Sequence, residues 1–300
     1  MRKRRAAVSL FAGSVSNHAM PRIDPRLYQI TALTLLLAWG VFALDLQGAL
    51  SRAAVVMAAA IAAQAVCSRL AGIRFDPRSA AISGLSLTLL LRAGSIIPLL
   101  AAAALAVGGK FAIRWRGKHL FNPTNFAIVV LLMTGAPVWV SPGQWGSVAF
   151  FGFLVVCLGG LVVNRAARSD VPLAFIAAWA AIVIGRSLWL GEPMTIPLHR
   201  LQNGALLIFT FFMISDPKTT PDSRAGRILF AAIVALGAGF VQFHLFGTNG
   251  VLWSLFAAAP LVPLLDAVFP DTRYEWPRPI PHAEARKTVA EGGAPWPAVS

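Results

Sequence analysis

The sequence predicts an all-α integral membrane protein with about ten transmembrane helices in two inverted five-helix repeats, the third and eighth helices being short. Three observations carry this reading. Hydrophobic residues make up 57% of the 300 residues and charged residues only 13%, where a soluble domain carries about 25% charged. The segment His119-Leu120-Phe121-Asn122-Pro123-Thr124-Asn125 returns in related form as His244-Leu245-Phe246-Gly247-Thr248-Asn249, and each copy leads into an apolar run that meets a proline, Pro137 or Pro260. Finally, the Lys and Arg residues crowd into alternate connections between the apolar runs.

The ten runs are Tyr28–Leu44, Ala53–Leu70, Ser79–Leu91, Ser95–Ile113, Pro123–Val140, Ser147–Val163, Val171–Leu190, Arg200–Ile214, Arg227–His244 and Gly250–Phe269. A spanning helix needs about 20 apolar residues, and all but the third and eighth runs approach that length. With the N-terminus inside, 22 of the 26 Lys and Arg face the cytoplasm. Only Arg52, Arg92, Arg186 and Arg200 face outward. This positive-inside bias sets an even helix count with both termini cytoplasmic. It also accounts for the net charge of +14 without a nucleic-acid partner; the partner that the composition does imply is membrane lipid.

The organisation that follows is a basic cytoplasmic tail over residues 1–27, a single membrane domain over 28–270 and a disordered, Pro- and Gly-rich cytoplasmic tail over 271–300. The repeat halves cover about 28–140 and 147–269. Arg2-Lys3-Arg4-Arg5 precedes too short an apolar patch to read as a cleaved signal. Ser141 to Gly146 reads as an outer turn with an interfacial tryptophan, Trp145.

An odd number of helices in each half inverts one half against the other. The third helix then corresponds to the eighth, and each carries a polar-Gly step, Ser83-Gly84 and Asn203-Gly204. Short or broken helices at matching positions point to a site near the membrane midplane, because backbone groups freed there must face protein or a cavity rather than lipid. The expected polar cavity is bounded by Ser83, Gly84, Ser86, Asn203, Gly204 and Thr210, with Asn125 and Thr248-Asn249 nearby. Asn122-Pro123 reads as a capped helix start, Asn at the N-cap and Pro at the first helical position. Asp76-Pro77 and Asp216-Pro217 read as turns at the inner surface.

Much familiar chemistry has no motif here. Acidic residues are absent from the middle of every run, which leaves this chain without the intramembrane carboxylates of an ion pump. Cys67 and Cys157 lie within apolar runs and form no CxxC pair. His199 and His244 share the outer side but lack a paired helical spacing, so no metal ligand is assigned. There is no HExxH, Walker loop or GxSxG.

The run Gly117-Lys118-His119-Leu120-Phe121-Asn122-Pro123-Thr124-Asn125-Phe126, preceded by Asp76-x-x-Ser79-Ala80-x-x-x-Gly84-Leu85 and followed by Phe211-Phe212-Met213-x-x-Asp216-Pro217-x-Thr219-x-Pro221, resembles the NqrB/RnfD family. The Gly226-Arg227 step also fits, and the resemblance covers roughly residues 28 to 270. It is strongest to the compact stand-alone RnfD-like proteins, including those encoded with enediyne biosynthesis genes. The resemblance implies a membrane component of an electron-transport oxidoreductase complex, with other membrane or redox subunits as partners and a flavin (FMN or riboflavin) as cofactor. The residues it brings to cofactor binding are Asn122, Thr124 and Asn125, together with those of the expected cavity. It also implies an FMN esterified to an outer-loop threonine. In the matching loop, Gly191-Glu192-Pro193-Met194-Thr195-Ile196-Pro197-Leu198, Thr195 holds that position, but the family's Ser-Gly-Ala context is missing, which counts against covalent attachment. The competing reading is a cofactor-free solute channel or transporter on the same scaffold, since a fold alone does not decide function.

Overall fold

Long apolar runs form helices here because a backbone in lipid must satisfy its own hydrogen bonds. The computed structural model describes residues 24–44, 48–140, 158–160, 162–163 and 168–275. Most of the expected sixth span, the turn before it and most of both terminal tails lie outside these residues. In chain order the helices are α1 (Pro25–Ala43), α2 (Ala49–Leu70), α3 (Arg78–Leu90), α4 (Ile96–Ala112), α5 (Pro123–Met133), α6 (Asp170–Leu190), α7 (Thr195–Leu201), α8 (Gly204–Ile208), α9 (Arg224–Phe243), α10 (Gly250–Ala258) and α11 (Val262–Val268). A π-turn, Phe209–Met213, continues α8, and a 3-10 turn, Ala259–Leu261, joins α10 to α11. Five helical stretches are long and apolar enough to cross a membrane: Pro25–Ala43, Ala49–Leu70, Asp170–Leu190, Arg224–Phe243 and Gly250–Val268. The chain is thus a multi-pass membrane protein, and apolar side chains such as Phe42, Leu173, Leu236 and Phe240 remain exposed on its outside.

Residues Pro25–Glu275 form one compact unit. In it α2 packs on α3 and α4, α4 on α5, α6 on α9, and α9 on α10. Small residues permit the close approaches: a Cβ on Gly237 of α9 would collide with Ser254 Oγ of α10. Ser254 Oγ itself donates to Val234 O across that contact at 2.7 Å.

The fifth run does not stay helical to Val140 as expected. α5 stops at Met133, Gly135 turns the chain with φ 68°, and Pro137 prevents continuation. The chain then extends as strand β4 (Val138–Val140), antiparallel to β1 (Leu91–Ala93), with Leu91 opposite Val140 and Ala93 opposite Val138. A second ribbon pairs β2 (Arg114–Trp115) with β3 (Lys118–His119). Its two turn residues, Arg116 and Gly117, both have positive φ, the conformation a tight two-residue hairpin requires.

Candidate functional site

The two ends of the bundle differ in chemistry. One end gathers ion pairs: Arg26 and Arg78 on Asp76, Lys118 between Asp222 and Asp266, and Arg227 on Asp170. A cavity of about 220 Å³ opens there beside Trp115, His119 and Arg273. Arg273 Nη1 donates to Arg116 O there at 2.9 Å and Lys118 is held by its two carboxylates, whereas His119 Nδ1 is buried without a partner. Asp76 and Asp216 build the same turn at this end, each accepting from the backbone N–H two residues on, at 3.1 and 3.0 Å. Burial would raise the Asp76 carboxyl, but hydrogen bonds from Arg78 and Arg26 outweigh it and hold the group below its ordinary value.

Between the ends runs a buried polar seam. Asn122 caps α5 by accepting from Asn125 N at 3.1 Å, with Pro123 at the first helical position. Its amide reaches across to Met213 O at 3.3 Å and Asp216 Oδ2 at 3.4 Å, tying α5 to the end of the π-turn. That π-turn shows in Ile214 N donating to Phe209 O, five residues back, at 3.0 Å. Asn125 is 1% exposed, and neither its amide nitrogen nor its amide oxygen has a partner. An unpaired buried polar group costs about 1–3 kcal/mol.

The second and larger cavity, about 510 Å³, lies at the opposite end. Leu90, the last residue of α3, and Asn203, Ala205, Leu206, Phe209 and Met213 of the broken eighth element line it. Trp139 and Val140 of β4, Trp179 of α6, Arg200 of α7, Gln242 of α9 and residues 247–252 complete it. The last residue of α3 and the start of α8 therefore meet at one cavity. The break that makes it is local. Asn203 adopts an extended conformation and its Oδ1 accepts from Ala205 N and Leu206 N at 2.9 and 3.4 Å, restarting the helix after α7 has ended. No Asp or Glu lines this cavity among the described residues.

The expected site residues divide into three groups. Asn203, Thr248 and Asn249 line the larger cavity, and Gly204 is buried at the start of α8 between two lining residues. Ser83, Gly84, Ser86, Asn122, Thr124, Asn125 and Thr210 are buried but do not line it. Two of these need no cavity: Ser83 Oγ donates to Ser79 O and Thr210 Oγ1 to Leu206 O, so each hydroxyl is satisfied by its own helix, as is that of Thr88, which donates to Gly84 O. Gly84 faces Met57 of α2, where a Cβ would sit 3.3 Å from the sulfur. Thr195 is exposed at the first position of α7 and outside the cavity lining.

Sequence reasoning missed Trp179 and Arg200. Trp179 is 3% exposed, and its indole Nε1 is buried without a partner. Its ring stacks on Phe243 at 6.1 Å and 13°. Phe243 in turn carries Arg186 and Arg200, whose guanidinium carbons lie 4.7 and 5.1 Å from the ring centre. Arg200 had a usable signal as one of only four basic residues that the charge bias was expected to place outward; Trp179 had none, since a tryptophan in an apolar run reads as core or interface.

Residues 133–275 match the NQR2, RnfD, RnfE family. The RnfD component of the ion-translocating oxidoreductase complex of Erwinia tasmaniensis is 30% identical over 128 residues, covering 41% of this chain and 34% of that protein. The proteins of the same name from Escherichia coli K12 and Citrobacter koseri are 28% and 26% identical over 125 residues. The chain thus spans about a third of the length of the curated relatives it matches. The family match includes most of the larger cavity's lining and the motif from Phe211 to Pro221. On its motifs and on these matches, the chain resembles the NqrB/RnfD family of membrane electron-transport proteins.

Proposed function

We propose that this chain is an RnfD/NqrB-like redox protein that holds a flavin in the larger cavity and takes part in electron transfer across or along the bacterial cytoplasmic membrane, within a multi-subunit assembly. The observation that carries the reading is the cavity itself. It has aromatic walls in Trp139, Trp179 and Phe209 and no lining carboxylate among the described residues. A flavin offers an apolar ring with carbonyl acceptors along one edge, which suits aromatic walls flanked by the polar side chains of Arg200, Asn203 and Gln242, and about 510 Å³ lies within the usual range for a cofactor site. When bound, the flavin supplies one- or two-electron redox chemistry. The chain supplies the rest: Trp179 and Asn203 orient the ring, and the apolar lining from Leu90, Leu206 and Met213 excludes water.

The same reading takes the scaffold as ten helices in two inverted halves with both termini cytoplasmic. Two features support it. α5 runs from the ion-paired end toward the larger cavity and α10 runs from that cavity back, although their leading segments are related in sequence. The ion-paired end also gathers the basic residues Arg26, Arg78, Lys118 and Arg227. Cysteines placed at Arg74 and at Met194, in a chain with Cys67 and Cys157 replaced by alanine, should label from opposite sides, Met194 from outside. Labelling from one side would remove the topology.

The cofactor is tested by the absorbance of protein purified in mild detergent. A flavin spectrum that passes into the supernatant on acid denaturation is the expected result. A colourless protein, after expression with ample riboflavin, would leave the cavity to a solute and overturn the redox reading.

A further inference from the structure

We infer that the smaller cavity, between the β2–β3 ribbon and α11, binds the headgroup of an anionic phospholipid, with the phosphate held by the guanidinium groups of Arg116 and Arg273. The site lies at the ion-paired end, away from the larger cavity, and does not depend on the redox reading.

Size and walls point to a headgroup rather than a whole ligand. About 220 Å³ falls below the usual range for a small-molecule site. The apolar walls are Trp115 of the ribbon, Leu120 beyond it, and Val262, Pro263 and Ala267 of α11. Helix α11 closes the apolar stretch Gly250–Val268, which is long enough to cross a membrane, so the cavity sits where a span meets the headgroup layer. Leu264 and Val268, each one residue on from Pro263 and Ala267, are exposed on the same helix. They offer acyl chains an apolar surface next to the cavity. Trp115 is exposed too, an amphipathic ring of the kind enriched at headgroup depth.

Charge selects the headgroup. Three cations and two carboxylates line the cavity. Lys118 is taken by both carboxylates, Asp222 and Asp266, and His119 stays neutral because burial lowers its pKa to about 4. Arg116 and Arg273 are exposed at the cavity and make no ion pair among the described residues. The fold of the ribbon brings these two together. It turns at Arg116 and Gly117, with φ 47° and 79°. Arg273 Nη1 donates to Arg116 O at 2.9 Å, and its guanidinium lies against Gly117, where a Cβ would stand 3.6 Å from Nη1. The turn thus fixes one edge of the Arg273 fork and leaves its other N–H groups for an acceptor. An arginine fork matches two phosphate oxygens at once, and basic clusters at the end of a membrane span suit anionic lipid. A free phosphate presents the same oxygens, but the apolar walls and the exposed Leu264 and Val268 favour the lipid.

The test uses full-length protein in mild detergent, with lipid binding read by native mass spectrometry. The probes are phosphatidylglycerol, which carries net negative charge, phosphatidylcholine, which does not, and inorganic phosphate. Wild type should bind phosphatidylglycerol about tenfold more tightly than phosphatidylcholine, the factor expected of one charge-assisted contact. Replacing both arginines, Arg116→Gln with Arg273→Gln, should erase that preference and leave phosphatidylcholine binding within about twofold. Ala267→Trp keeps every charge but fills the cavity, and it should erase the preference as well. Both variants change exposed side chains, so their unfolding midpoints without lipid should match wild type. Inorganic phosphate at millimolar concentration should not displace the lipid. A preference that survives Ala267→Trp would place binding on diffuse surface charge. Displacement by phosphate would make the site one for a soluble anion, and a wild type without preference would leave the arginines to an acidic protein surface. Each of these results overturns the inference, and none bears on flavin binding in the larger cavity.

Discussion

Lys118 Nζ lies 2.8 Å from Asp266 Oδ2 and 3.0 Å from Asp222 Oδ1, carboxylates that follow it by 148 and 104 residues. The ammonium sits on the β2–β3 ribbon, and the carboxylates belong to α11 and the turn before α9. Asp222 N also donates to Asp266 Oδ1 at 2.8 Å, which fixes the second carboxylate. One cation therefore ties the first half of the chain to two places in the second.

The side chains of this triad are 11% (Lys118), 11% (Asp222) and 22% (Asp266) exposed, so the charges are largely desolvated. Removing the cation strands two acids, and breaking a buried pair typically costs about 3–5 kcal/mol. Lys118→Met should destabilise the protein by about 3 kcal/mol. Asp266→Asn should cost less, because Asp222 still neutralises the lysine. Thermal unfolding in detergent checks the ranking, and an equal effect of the two variants would count against Lys118 as the hub.

Asn122 and Asn125 are three residues apart and should respond in opposite ways. Asn122 caps α5 and bridges to Met213 O, so Asn122→Ala removes a cap worth about 1–2 kcal/mol and a cross-element bond as well. Asn125 holds a buried amide with both polar atoms unpaired. Exchanging it for leucine, of similar size, removes that cost and should leave stability unchanged or raised. A large loss in Asn125→Leu, measured by the same unfolding assay, would mean that the amide has a polar partner in the native assembly.

These two asparagines mark where the sequence was legible. The Asn-Pro step announces a cap because capping depends on residues adjacent in the chain, and α5 starts at Pro123 as read. Helices α6 and α9 likewise lie where uninterrupted apolar runs put them, to within one and three residues at their starts. The β1–β4 ribbon was not legible, because pairing Leu91 with Val140 depends on chain segments far apart. Nor was the π-turn, since Phe209, Phe211, Phe212 and Met213 would fit a regular helix equally well. Of the residues expected at a cavity, Asn203, Thr248 and Asn249 line the larger one, whereas Ser83, Ser86 and Thr210 are buried away from it. The stacking of Trp179 on Phe243 was not legible either, because it depends on packing between segments far apart in the chain.

His119 makes stability depend on pH. Burial lowers its pKa from 6.5 to about 4, and the nearby Arg114 and Lys110 cations push the same way. The folded chain thus keeps the imidazole neutral while the unfolded chain takes a proton below about pH 6.5. A depressed base contributes stability that is complete above its unfolded pKa and is lost as pH falls toward its folded pKa. Between about pH 7 and pH 5 the loss should be about 2 kcal/mol, from 1.36 kcal/mol per pKa unit. His119→Phe should flatten unfolding midpoints across that interval, and an unchanged slope would show that another group dominates.

Gly250 and Gly84 separate a glycine required by backbone contact from one that merely permits helix packing. A Cβ on Gly250 would stand 2.7 Å from the carbonyl oxygen of Ala238 in α9. That neighbour is backbone and can yield only if α9 and α10 move apart, which also displaces the cavity wall formed by residues 247–252. A Cβ on Gly84 would stand 3.3 Å from Met57 Sδ, the flexible end of a methionine that can swing aside. Overpacking against rigid atoms costs about 1–3 kcal/mol, and against a mobile side chain much less. Gly250→Ala should therefore lower the unfolding midpoint and weaken ligand binding in the cavity together. Gly84→Ala should leave ligand binding intact and change stability by less than about 1 kcal/mol, since alanine also favours the helix. If Gly84→Ala lost binding while Gly250→Ala kept it, the site would belong on the α2–α3 side of the bundle and not between α8 and α10.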